Sequence, residues 1–169
     1  MRFFLAVAVT SVLALVAAGT ASAQTLSPGH ANGHGSVAED TGNSFTPYKF
    51  SFNAQGVTVG GDVAPAGGVR FSNPGGSFRG SVDCYFQADN EAFFSGHVES
   101  SHGDLVPEAL QGQIATYSAH VVDNGEGSDS PPDTIGFTAI MGPFSLDCFS
   151  AALLADTVAT GQVQVHPVD

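Results

Sequence analysis

From Phe45 onward the chain alternates between apolar and polar positions. Tyr48, Phe50 and Phe52 alternate with Lys49, Ser51 and Asn53; Val57, Val59 and Val63 follow, then Val69 and Phe71. A period of two sends successive side chains to opposite faces, so these stretches predict half-buried β-strands. Phe78, Val82, Cys84 and Phe86 continue the pattern on one face, opposite Arg79, Ser81, Asp83 and Gln87. Ala92, Phe94 and Val98 do the same against Ser95, His97 and Glu99, and further runs cover Ile114 to Val122, Ile135 to Met141 and Gln162 to His166. Gly-Gly, Pro-Gly, Asp-Asn, Asn-Gly and Pro-Pro pairs stand between them as turn signals. Seven or eight short strands so spaced predict a single all-β domain, an antiparallel sandwich or small barrel. Gly80, Gly96 and Gly136 fall inside strands and predict bulges or strong curvature. Helical character is confined to the short segment Phe149 to Asp156, which reads equally well as a loop.

The start of the chain has a different character. Arg2 precedes an apolar run from Phe3 to Ala18, and Ala21-Ser22-Ala23 offers a small-x-small cleavage site. Residues 1–23 therefore predict a secretory signal peptide cut after Ala23, and an extracellular protein. Gln24, where a lipoprotein would need Cys, argues against a lipid anchor, and no later segment is long and apolar enough to span a membrane. Residues 24–44 hold Gly, Ser, Asn, His and acids without apolar periodicity, and predict a flexible N-terminal arm ahead of a β-domain over 45–169.

Charge narrows the partners. The 169 residues carry 16 Asp and Glu against four Lys and Arg, a net charge of −12. Phosphate recognition needs clustered cations, so nucleic acid and anionic membrane surfaces are excluded as expected partners. The two cysteines, Cys84 and Cys148, predict a disulfide in an exported chain. Closing a loop of roughly 60 residues contributes up to about 4 kcal/mol on the chain-entropy model.

Several segments together resemble a known group. They are Gly80-Ser81-Val82-Asp83-Cys84, the turn at Asp89-Asn90 with Ala92 to Val98, Val121 to Gly127 with Pro132-Asp133, Cys148, and Gly161-Gln162-Val163-Gln164-Val165-His166. This is similar to a group of short secreted bacterial β-proteins, common in actinobacteria and resembling post-COAP modules. Their pattern is G-x-V-x-C, D-N-G-E-x-G, P-D and G-x-[IV]-x-V-H. The resemblance spans about residues 45–166, with Gly127 standing where members of the group more often carry Pro. It implies a β fold and no particular chemistry.

Three constellations carry candidate chemistry. In the hairpin over residues 78–99, a three-residue loop with Asn90 left-handed places Ser81 opposite His97, Arg79 opposite Glu99 and Asp83 opposite Ser95. Asp83 then lies diagonal to His97 at roughly 7 Å, so a carboxylate, an imidazole and a hydroxyl gather on one polar face. No nucleophile-elbow sequence accompanies them. In the acidic segment, Asp123, Glu126, Asp129 and Asp133 are calcium candidates, since calcium takes six to eight oxygens on a flexible loop. Their spacing is not that of an EF-hand, and Asn124-Gly125 reads equally as a hairpin turn. His30 and His34 stand four apart, but the surrounding glycines disfavour the helix that a zinc pair would need.

The leading expectation is a secreted β-domain that binds an extracellular ligand or presents a surface, without catalysis and without a cofactor. One alternative is a small barrel enzyme doing acid/base chemistry on an apolar substrate, its lumen holding Asp83 and His97 with Tyr85, Glu99 or His120. A calcium-dependent adhesion or matrix module is the other.

Overall fold

The structure, a computed structural model, describes residues 27–38, 47–104, 115–141, 147–151 and 155–166. The signal-peptide expectation falls outside these residues, as do residues 152–154 of the helical candidate at 149–156, whose described residues form a turn and the start of a strand instead of a helix. Among the described residues there are ten strands: β1 (Gly29–Val37), β2 (Tyr48–Val59), β3 (Asp62–Asn73), β4 (Gly76–Ser81), β5 (Cys84–Ala88), β6 (Glu91–Gly103), β7 (Ala115–Val122), β8 (Thr134–Met141), β9 (Asp156–Thr157) and β10 (Thr160–His166). All pairings are antiparallel, in the order β10-β1-β2-β3-β4-β6-β7-β8-β9, with β5 paired to β6. The chain is all-β with one disulfide, and no helix of the described residues is long and apolar enough to cross a membrane.

The sheet curls until its two ends meet. Val158 and Ala159 alone connect edge strand β9 to the opposite edge strand β10. The inner face of the curl is filled with side chains. Phe137 on β8 stacks on Phe71 of β3 (ring centroids 4.4 Å apart) and also meets Tyr48, Phe78 and Tyr117. Phe52 on β2 reaches Phe94 on β6 at 5.0 Å. These strands lie several places apart in the sheet, so the aromatic contacts across the curl set its curvature. Aromatic pairs of this kind contribute about 0.5–1.5 kcal/mol each beyond the area they bury.

The long strand β6 passes from one half of the curl to the other. Its first half pairs with β5 and β7, its second half with β4. The register steps between Arg79 and Gly80, so that Arg79 faces Ser100, Gly80 faces Val98, and Glu99 is the extra residue of a bulge. A bulge bends and twists a strand locally, as a corner requires. Two glycines permit the tight fit here. A Cβ on Gly96 would strike the Ser81 carbonyl, and one on Gly80 would sit 2.7 Å from the Tyr117 ring.

Three expectations are corrected. Residues 29–37, within the predicted flexible arm, form β1, paired on both sides with β2 and β10. The inner positions of β1 are Ala31, Gly33, Gly35 and Val37, and a Cβ on Gly33 would lie 2.6 Å from the Phe52 ring. Alternation exists there, but glycine occupies core-facing positions because neighbouring phenylalanines fill the space. Second, the strand expected over residues 78–86 breaks at Val82–Asp83 into β4 and β5. Val82 and Tyr85 therefore join the main core, while Cys84 and Phe86 turn to the other side of the sheet, with Phe93 and Cys148. Third, the hairpin loop has two residues, Asp89 and Asn90, since Ala88 pairs with Glu91. Asp89 carries the positive φ of 52°, and the Asn90 side chain instead donates to the Asp123 carbonyl at 2.7 Å.

The disulfide joins Cys84 to Cys148, Cα atoms 5.6 Å apart, and fastens the 147–151 turn to the back of β5. Ser118 lies buried beneath that turn, its hydroxyl donating to the Cys148 carbonyl and accepting from the Ala151 amide. Phe149 packs edge-on against Phe86 and over Phe93.

All three tyrosines place their rings in the core and donate their hydroxyls at its rim: Tyr48 to Asp156 (2.8 Å), Tyr85 to Gln87 (2.6 Å) and Tyr117 to the Ser81 carbonyl (2.6 Å). Burial pushes all three phenols well above their ordinary range; the Asp156 hydrogen bond adds to this at Tyr48, and the charges of Asp83 and Glu99 add to it at Tyr117. Unfolded tyrosine ionises near pH 10. The stability carried by these groups is thus complete below about pH 10 and lost as the pH rises beyond it. An absorbance titration should find no phenolate through pH 10, then ionisation of all three tyrosines together with loss of near-ultraviolet circular dichroism. One tyrosine titrating normally in a still-folded chain would contradict this packing.

Candidate functional site

The polar residues of the 78–99 hairpin do assemble, although its loop is shorter than predicted. The two-residue loop pairs Cys84 with Ser95, one step off the expected register, and the break at Val82–Asp83 takes up that step, so Gly80 pairs with Val98 and Ser81 is carried to the level of His97. The His97 Nδ1 lies 2.6 Å from Asp83 Oδ2, and the Ser81 hydroxyl donates to Asp83 Oδ1 at 2.9 Å. Ser81 Oγ also lies 2.9 Å from Nδ1 and 3.4 Å from Nε2 of His97.

This arrangement limits the chemistry. A carboxylate only accepts, so Nδ1 bears the hydrogen that Asp83 receives. A serine is activated when its hydroxyl donates to a base, and here that hydroxyl donates to the carboxylate instead. The cluster is a carboxylate orienting two donors. Its place is the outer face of the sheet: the side chains of His97 and Asp83 are 39% and 50% exposed.

The other members of the suggested lumen set are dispersed. Tyr85 points into the packed core and is tied to Gln87. His120 stacks flat on Phe93 (4.3 Å) and pairs with Glu91 on the outer side of β7. Glu99 lines a shallow depression on the outer face, next to the cluster, with Ser51, Asn53, Gly68, Arg70 and Arg79. Arg79, expected opposite Glu99, lies opposite Ser100 instead, because Glu99 is bulged out of the pairing. The signal that finds the arginine pair is register, since Arg70 and Arg79 are directly opposed across β3 and β4.

No protein-family model matches this chain, and no curated protein or solved structure matches it either.

The acidic segment is engaged with backbone. Asp133 accepts the Asn124 amide at 2.9 Å and the Val163 amide at 2.7 Å. Asp123 accepts the Gly125 amide at 2.9 Å and the Val165 amide at 3.0 Å. Glu126 accepts the Gln164 side-chain amide, while Asp129 is exposed. Among the described residues, no group of three or more His, Cys, Asp and Glu is placed to hold a metal ion. Val163 and Val165 belong to β10, whose other edge pairs with β1, so these carboxylates satisfy the amides that an open edge would leave bare. His30 and His166 also meet, as a cross-strand stack at 4.4 Å on the outer face, with His34 exposed further along β1.

Asp133→Ala should cost about 1–3 kcal/mol in chemical denaturation, the penalty for stripping partners from part-buried amides. The melting temperature of the wild-type protein should not respond to millimolar calcium or to chelator. A calcium-dependent rise that Asp123→Asn abolishes would reassign this loop to metal binding.

For His97→Ala the expected loss of stability is under about 1 kcal/mol, the usual range for an exposed ion pair. A loss above about 1.5 kcal/mol would instead place the cluster among buried, partner-dependent polar groups.

Proposed function

We propose that this protein is an exported binding module that presents the polar outer face of its curled sheet to an extracellular ligand. The observation that carries this reading is where the two kinds of side chain go. Aromatic rings fill the interior, whereas the Ser81–Asp83–His97 cluster and the arginine depression face outward. Export is supported by the residue 1–23 signal pattern, and the net charge of −12 speaks against nucleic acid as the partner.

A second reading, acid/base catalysis by Asp83 and His97, is favoured by their 2.6 Å contact. What weighs against it is the setting. Acid/base work on an apolar substrate calls for a concave site with apolar walls, and this cluster stands half-exposed on a polar face.

The test has two steps. Protein recovered from the medium should have the intact mass of a chain beginning at Gln24. That protein should then co-sediment with at least one of cellulose, chitin, peptidoglycan and pectin. Protein that retains residues 1–23, or that remains in the supernatant with all four polymers, would count against the reading.

A further inference from the structure

After Arg2 the chain has three cationic side chains, Lys49, Arg70 and Arg79, among 16 acidic residues. The register gathers all three on one face. Arg70 is opposed by Ser51 on one side and by Arg79 on the other, and Lys49 is two residues from Ser51 on the same face of β2. All three are exposed, and among the described residues none forms an ion pair. Directly opposed strand residues have Cβ atoms about 5 Å apart, where like charges destabilise a sheet. A strongly acidic protein thus sets two of its three positive charges directly opposite each other.

The surroundings define a ligand. Gly68 leaves the middle of the depression bare; a Cβ there would meet the Gly80 carbonyl at 3.2 Å. Arg70, Arg79, Ser51, Asn53 and Glu99 line it, Glu99 being the extra residue of the bulge. The polar surface continues through Asn32 and Gln164, which lie in register with Asn53 across β1 and β10. We infer that this depression binds one oxyanion, a carboxylate or a sulfate, carried on a hydroxyl-rich molecule of the acidic-saccharide class. This rests on the binding-module reading above. Paired guanidinium forks suit the two oxygens of such a group. Glu99, Ser51 and Asn53 supply acceptors and donors for hydroxyls, which a bare anion would leave unused. The acidic remainder of the surface repels a long polyanion and leaves a short acidic saccharide as the match.

Calorimetric titration at low ionic strength tests this with trigalacturonate, its methyl ester, galactose 6-sulfate and inorganic sulfate. The probes are added to the wild-type protein and to Arg70→Gln and Arg79→Gln. Trigalacturonate or galactose 6-sulfate should bind, at least tenfold tighter than the methyl ester or inorganic sulfate, and each substitution should weaken that binding at least tenfold. Which of the two saccharides binds assigns the group as carboxylate or sulfate. Neither substitution should lower the ligand-free melting temperature, because each relieves a like-charge contact. The inference is overturned if neither saccharide binds, if the ester or inorganic sulfate binds equally well, or if the arginine variants bind unchanged. Polymer co-sedimentation that persists in both arginine variants would overturn this inference while leaving the binding-module reading standing.

Discussion

The stack of Phe137 on Phe71 is the contact on which the rest of the structure depends. It joins strands four places apart in the sheet, and it draws in Tyr48, Phe78 and Tyr117 around it. A flat sheet would expose these rings on one side. Curling buries them against each other, and apolar burial supplies the largest favourable contribution to folding. The curvature in turn requires places where backbone comes very close to its neighbours, which explains glycine at positions 80 and 96. It also requires the Glu99 bulge at the corner of β6.

Curling leaves a seam, because β9 is only two residues long and does not pair with β10. Side-chain carboxylates do what a further strand would have done. Asp123 and Asp133 reach across from the β7–β8 connection and accept the amides of Val165 and Val163. Tyr48 and Asp156 close the seam from inside, and among the described residues no buried side-chain polar atom lacks a partner. A run of acids that suggests a metal loop is thus the seal of an open sheet edge.

With the interior filled and the seam closed, polar chemistry has only the outer face left to it. That face is not uniform. The corner at β6 concentrates a bulged glutamate, two opposed arginines and the Ser81–Asp83–His97 cluster within neighbouring strands, next to a glycine that carries no side chain. The bulge adds Glu99 to the arginines opposed by the β3–β4 register, and the break at Val82–Asp83 aligns the cluster, so the corner serves both the fold and the candidate site.

The sequence by itself determined the fold class, because period-two alternation from Tyr48 onward and the turn residues between runs are local signals. It also determined the disulfide, since two cysteines allow one pairing. The meeting of Ser81, Asp83 and His97 was expected from a three-residue loop, whereas the structure reaches it through a two-residue loop and the break at Val82–Asp83. Other features were decided only in three dimensions. β1 was hidden because Gly33 and Gly35 occupy its core-facing positions, their space taken by phenylalanine rings from β2. Cys84 changed faces because the chain must leave one half of the curl for the other at Val82–Asp83. The acids at 123 and 133 found their use in β10, some 30–40 residues further along. Arg70 and Arg79 became a pair through the register of β3 and β4. In each case the deciding contact is non-local, and a residue's own neighbours in the chain carry no trace of it.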